Sequence, residues 1–277
     1  MSDVLRNAME AIRGVKIPEL PTEVLLLEKE ITSKFASLAN VASIIEMNTT
    51  LSGEVMRIVN SPVIKLKEPV QSIRDAVNVM GLDNIYNLVV SAALKNLFGN
   101  EGIYKDIMDN SVDVAFCMAD LAEWVADISR DEAYMLGLFH NVGALMLAAK
   151  DEELYEALFR KSMSSPMSVI ALENKKYNTD HAVVGVLVGK KWGLSTDVLS
   201  AIMFHHNQGC SRIQNDRVRG MVAMIKVANG MVSDISLGAY RGTEMRDYEL
   251  DGIEELMIPD GTLSEIRGAL MSYSFKD

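Results

Sequence analysis

Cysteine is scarce. Only Cys117 and Cys210 occur in 277 residues, far apart and outside any C-x-x-C spacing. That excludes a disulfide framework and a thiolate zinc ribbon. Both read as reduced thiols, as expected of a cytoplasmic protein, and Cys117 reads as a small hydrophobe buried in an apolar helical run. Basic charge is also short: 27 Lys and Arg stand against 38 Asp and Glu, a net charge of −11. A chain so acidic is not expected to bind nucleic acid or an anionic membrane surface, which need an excess of cations. No stretch approaches 18 uninterrupted apolar residues, so no membrane span is expected. The opening MSDVLRNAMEAIRG lacks the apolar centre of a secretory leader. Phosphate-binding loops, nucleophile elbows and the dinucleotide glycine fingerprint are all missing. Strand alternation never persists, and there is no internal repeat or low-complexity linker.

What is present points to helices. Six prolines and eighteen methionines, with 49% hydrophobic and 23% charged residues, describe a globular chain with few breakers and many unbranched apolar side chains. Amphipathic periodicity predicts helices over 3–13, 22–34 with Thr22 as N-cap, 37–48, 50–60, 71–80 and 83–98. After the break Gly99-Asn100-Glu101-Gly102 come longer runs: 104–127, 131–149, 151–162, 166–174, 179–192, 195–206 and 214–233. Residues 235–261 read as acidic and punctuated by glycine, and a last helix covers 262–273. The pairs Asp131-Glu132 and Glu152-Glu153 read as helix starts, where the dipole favours acid. Trp124 and Trp192 sit among apolar residues at helical spacing and read as core. Asn60-Ser61-Pro62 reads as a helix terminator.

Only four histidines occur, His140, His181, His205 and His206, and each borders an apolar helical run. Imidazole is a frequent metal ligand, and a helical bundle is a setting that points ligands inward. A lone histidine on an apolar helix is more often a core or capping group. Four in this arrangement are worth reading together.

Their contexts resemble the HD superfamily in the order used by HD-GYP and HDOD proteins. GLFHNVG, residues 137–143, is similar to the signature G-L-hydrophobic-H-D-hydrophobic-G. DHAVVGVLVGKKWGLSTDVLSAIMFHHN, residues 180–207, resembles the later stretch with H-x-x-x-G, W-x-L and a helix ending in His-His. The N-terminal half resembles the HDOD pattern. IPELPTEVLLL matches its Leu-Pro lead-in; Asn60-Ser61, Ile73 with Ala76, and Met80-Gly81-Leu82 fall at its N-S, I-x-x-A and L-G positions. The resemblance implies an all-α fold of two packed helical bundles, the second HD-like. It divides the chain into an N-terminal helix (1–16), an HDOD domain (17–235, with bundles 17–99 and 103–235) and a C-terminal extension (236–277) that packs on the bundle.

Metal-dependent HD enzymes hold one or two divalent cations with an early His, the His-Asp pair and a later Asp, and the metal activates water for phosphate-ester hydrolysis. At those positions this chain carries Asn110, Asn141 and Asn229. An amide keeps the shape of a carboxylate without its charge, and it bridges two metals poorly. The resemblance therefore implies a signalling or regulatory module that binds a protein partner or a small ligand without catalysis, and it leaves room for a homodimer. The alternative is a phosphohydrolase acting on a nucleotide or phosphodiester with a reduced site of His140, His181, His205 and His206. Such a site would suit Zn, Ni, Fe or Mn.

Overall fold

In the computed structural model, residues 3–60, 66, 68–99, 101–207 and 209–274 are described. In chain order the helices are α1 (Asp3–Ala11), α2 (Thr22–Ile31), α3 (Leu38–Glu46), α4 (Thr49–Val59), α5 (Ile73–Phe98), α6 (Gly102–Leu121), α7 (Arg130–Phe139), α8 (Val142–Ala148), α9 (Glu152–Ser162), α10 (Pro166–Tyr177), α11 (His181–Lys191), α12 (Thr196–Phe204), α13 (Asp216–Leu237), α14 (Thr243–Leu256) and α15 (Asp260–Ser274). Among the described residues there is no strand, and no single helix is long and apolar enough to cross a membrane. The fold is all-α. It divides into two compact units, one holding α2–α5 and the other α1 with α6–α15.

In the smaller unit, short polar residues start the helices by accepting orphan backbone N–H groups. Asn48 Oδ1 accepts from Leu51 N at 3.0 Å and Ser72 Oγ from Asp75 N at 3.1 Å. Thr22 does not cap α2: it is the first helical residue, and Pro21 stands before it without a side-chain bond. Leu27, Val41, Ile45, Val55, Val59, Ile73, Ala76 and Ile85 fill the core. Asn60 ends α4 and then takes a second role: its amide donates to Val70 O at 3.0 Å and accepts from Val70 N at 2.8 Å. Ser61 and Pro62 lie outside the described residues. Helix α5 is broken at Gly81, whose φ of 76° favours glycine, and its halves diverge by 116°.

The larger unit is built around α13, whose Met221, Val222, Met224, Ile225, Val227 and Met231 are all buried. Helices α6, α7, α12 and α14 pack around it. Helix α1 lies on α11. The segment after α1 is held by Lys150 Nζ on Arg13 O and Lys191 Nζ on Ile17 O, both at 2.8 Å. The acidic pairs begin α7 and α9 as expected, and both cysteines are buried and unpaired in disulfides.

Besides Thr22, three elements and one tryptophan differ from the sequence reading. The expected helix 131–149 is two helices, α7 and α8, broken at His140-Asn141 where Asn141 has φ −102° and ψ 11°. Apolar periodicity continues on both sides, with no Pro at the break, so the pattern hides it. The run 104–127 stops at Leu121 and passes through a 3-10 turn over Ala122–Trp124. Trp124 is 52% exposed, not core, because that turn carries it out of the α6 register. Residues 235–261 contain the 14-residue α14.

Two backbone approaches set the interior of this unit. A Cβ on Gly137 would lie 2.6 Å from Ala115 Cα, so α7 meets α6 with no side chain between. A Cβ on Gly143 would lie 2.0 Å from His181 O and 2.5 Å from Gly185 N, so α8 touches α11 backbone to backbone. A Gly143→Ala substitution cannot be absorbed by side-chain movement and should cost about 3 kcal/mol or more. Gly268→Ala, in an exposed turn of α15 with nothing within 4 Å of its Cβ, should instead stabilise by about 0.5–1 kcal/mol. Urea denaturation of the two variants beside the wild type should move the midpoint in opposite directions.

Candidate functional site

Each histidine sits at a helix boundary. His140 closes α7, His181 opens α11, His205 closes α12, and His206 follows it. The α8–α11 contact at Gly143 brings the first boundary against the second. The α12 terminus brings the third.

Backbone hydrogen bonds fix the tautomers of two of the rings. His140 Nδ1 donates to Gly137 O at 2.5 Å, and His205 Nδ1 donates to Ile202 O at 2.7 Å. Each then presents its Nε2 lone pair inward. On His181, Nδ1 donates to Glu173 Oε2 at 2.8 Å, so its Nε2 also faces the centre. There His181 Nε2 lies 3.3 Å from His205 Nε2 and 3.0 Å from His206 Nε2. Those spacings match the edge of a coordination polyhedron with metal–nitrogen bonds of about 2.0–2.1 Å. The three candidate ligand atoms lie within 4.8 Å of one another. His140 is not in that set: its Nε2 accepts from Asn229 Nδ2 at 3.3 Å.

Glu173 carries no motif in the sequence, yet it organises the site. It is 1% exposed. Its Oε1 accepts from Tyr155 Oη at 2.7 Å, and its Oε2 accepts from His181 N at 2.9 Å in addition to the ring. Burial raises the Glu173 pKa, but His181 and the hydrogen bonds outweigh it and hold the carboxyl below its ordinary value. Burial lowers His181, and the facing carboxylate outweighs it, so that ring is raised. A carboxylate behind a histidine is the usual arrangement that fixes a metal-binding ring and raises its basicity. His140 is pushed down to about 4 by burial. His205 and His206 are pushed well below the ordinary value by burial and then by the neighbouring rings. Burial thus favours the neutral form of three of the four imidazoles, and His206 Nδ1 is buried with no hydrogen-bond partner among the described residues.

The three asparagines meet the other side of the cluster. Asn141 Nδ2 donates to Asn110 Oδ1 at 3.4 Å, Asn110 Nδ2 contacts Met163 Sδ at 3.4 Å, and Asn229 also donates to Ile225 O at 3.0 Å. The structure therefore brings all four histidines and all three asparagines to one cavity. That cavity has a volume of about 20 Å³, room for one ion or one water. Met245 and Tyr248 of α14 complete its lining. Tyr248 Oη donates to His205 O at 2.8 Å.

The HDOD domain family model matches residues 17–208. This chain belongs to the HDOD family. An HDOD domain protein from Geobacter sulfurreducens has a similar structure, with a TM-score of 0.71, 22% identity and 97% of both chains covered. A candidate phosphohydrolase from Shewanella amazonensis SB2B superposes with a TM-score of 0.67 at 19% identity, covering 95% of this chain and 98% of that one. Likeness at these identities establishes the shared fold. A protein from Treponema pallidum (strain Nichols) is 24% identical over 193 residues, which are 69% of this chain and 38% of the relative. The chain thus spans well under half of that relative's length. The HDOD match ends two residues after His206, so α13 and α14 complete the histidine cavity from outside it.

Beside the cavity, Lys226 of α13 is 1% exposed. Its Nζ donates to Asp251 Oδ2 at 2.6 Å and to Asn207 O at 2.7 Å. Burial raises Asp251, but the hydrogen bonds from Lys226 and Cys210 prevail and hold it below its ordinary value. A depressed carboxyl stabilises the fold above its unfolded pKa, about 3.9, and that contribution is lost as pH falls toward the folded value. Asp251→Asn leaves the Lys226 ammonium buried without its anion and should cost about 2–3 kcal/mol at pH 7. Urea titrations at pH 7 and at progressively lower pH should show the gap between variant and wild type closing below about pH 4.

Proposed function

We propose that this HDOD chain is a regulatory module that acts by binding a partner or small ligand, and that its histidine centre is architectural. One observation carries the reading: the cavity has room for about one ion or water, and the positions that an HD hydrolase fills with His and Asp are occupied by amides bonded to one another, to Met163 or to His140. Hydrolysis of a phosphodiester by this fold needs an open coordination position and anionic ligands that offset a dication. Among the described residues Glu173 is the carboxylate that lines the cavity, and it spends both oxygens on Tyr155 and His181. A cavity of about 20 Å³ cannot admit a phosphate ester without rearrangement.

The donor set fits a single imidazole-preferring ion such as Zn, Ni or Fe. His181, His205 and His206 would hold it, with Glu173 and the Ile202 carbonyl orienting two of the rings. Such an ion would join α11 to the end of α12 and supply folding free energy there. Two ions are disfavoured, because no carboxylate remains to bridge them.

Untagged protein should be analysed by plasma mass spectrometry and assayed with bis-p-nitrophenyl phosphate in Mn, Ni, Fe or Mg. The expected outcome is no turnover with any metal. Any metal that copurifies should be lost in a His205→Ala His206→Ala variant. Turnover that disappears in that variant would establish the phosphohydrolase reading in its place.

A further inference from the structure

We propose that α14 is a detachable strap that closes the histidine cavity, so that access to the cluster is set by a local opening of residues 243–256. This goes beyond the regulatory reading, and its test uses metal-free protein, because an ion on the ring nitrogens would block the reagent.

Beyond its close seat on α13, α14 is attached largely through polar contacts. Of its fourteen residues only Met245, Tyr248, Glu249 and Gly252 are buried. Helix α13 beneath it, by contrast, buries most of its length in apolar side chains. What holds α14 is a row of directed contacts to other elements. Glu244 Oε1 accepts from the backbone N–H groups of Met167, at 2.5 Å, and Ser168, at 2.8 Å, at the start of α10, and its Oε2 accepts from Ser168 Oγ at 2.6 Å. Helix α10 has no side-chain cap of its own, so Glu244 serves as a cap supplied from another helix. Tyr248 bonds the His205 carbonyl. Glu249 meets Arg241, and also Arg267 at 3.1 Å. Asp251 receives Lys226 and the Cys210 N–H, the latter at 3.0 Å. Glu255 receives Arg219 Nε at 2.6 Å.

A helix held by polar contacts and little apolar area opens at lower free energy than the core it covers, because water can replace hydrogen bonds and ion pairs but not packing. Position decides what that opening exposes. Met245 and Tyr248 line the histidine cavity, and the Tyr248 ring lies 5.9 Å from that of His206. On the outer side, Glu244, Tyr248 and Asp251 border a second, open cavity of about 490 Å³ that also touches Lys226. The strap is therefore the wall between the histidines and a solvent-filled space. Its seat on α13 is close: a Cβ on Gly252 would stand 2.6 Å from Ala223 O, and one on Gly230 would stand 2.5 Å from Glu249 Cγ. Gly252→Ala therefore pushes α14 outward against a backbone atom that cannot move aside.

The test uses the full chain. Hydrogen exchange of the wild type should show α14 amides exchanging about tenfold or more faster than those of α13. In Gly252→Ala, carbethoxylation of the histidines by diethylpyrocarbonate should quicken about tenfold while α13 protection is unchanged. Glu244→Gln, which weakens only the α10 contact, should quicken it less and serves as the test if Gly252→Ala fails to fold by circular dichroism. Equal protection of α14 and α13 in the wild type would overturn the proposal. So would unchanged histidine reactivity in a folded variant.

Discussion

The backbone contact between α8 and α11 is the constraint on which the centre of this protein depends. With Gly143 against His181 O and Gly185 N, two helices approach closer than any side chain allows. The break between α7 and α8 then falls beside the first turn of α11. His140 and Asn141 are held at that break, and His181 is held at that first turn. A wider separation would place the same residues on two helices without bringing them to one cavity, because interiors close-packed to this degree leave no slack for a ring to reach across.

Around that contact the polar groups are balanced one by one. A buried carboxylate is costly unless it is fully bonded, and Glu173 meets the requirement with a tyrosine hydroxyl, a backbone N–H and an imidazole. The asparagines are a milder solution on the opposite side. Asn141 and Asn229 have the shape of a carboxylate without its charge; Asn110 and Asn141 bond each other and Asn229 bonds His140, so none of them needs a cation. The resulting centre has amides on one flank and a carboxylate–imidazole hydrogen bond on the other. The regulatory role proposed above rests on that asymmetry.

Much of this centre is legible in the amino-acid sequence. Motif spacing picks out the histidines and asparagines, and the fold gathers them around one cavity. Glu173 and Tyr155 escape such a reading, because each is a common residue on an ordinary amphipathic helix and gives no signal until the fold sets it behind His181. The same is true of Lys226, which in sequence is a single cation in an apolar run. Helix α14 is hard to see because its apolar stripe is thin: it is fastened by carboxylates, and a helix fastened that way reads as a charged loop. Trp124 misleads for the opposite reason, since an aromatic at helical spacing looks like core until the helix ends three residues before it.

The sequence by itself determined the class of fold, the order of most of the helices and the histidines and asparagines that meet at the centre. Those follow from local periodicity, from the scarcity of breakers, and from motifs whose spacing is fixed by the helix repeat. Only the tertiary structure decided which histidine nitrogens face one another, which carboxylate stands behind them, and that a helix beyond the HDOD match lines the cavity. These depend on contacts between residues tens of positions apart, as Glu244 with Ser168 or Tyr248 with His205. Such pairings are set by how close two backbones come, and nothing in the local pattern of either partner records that distance.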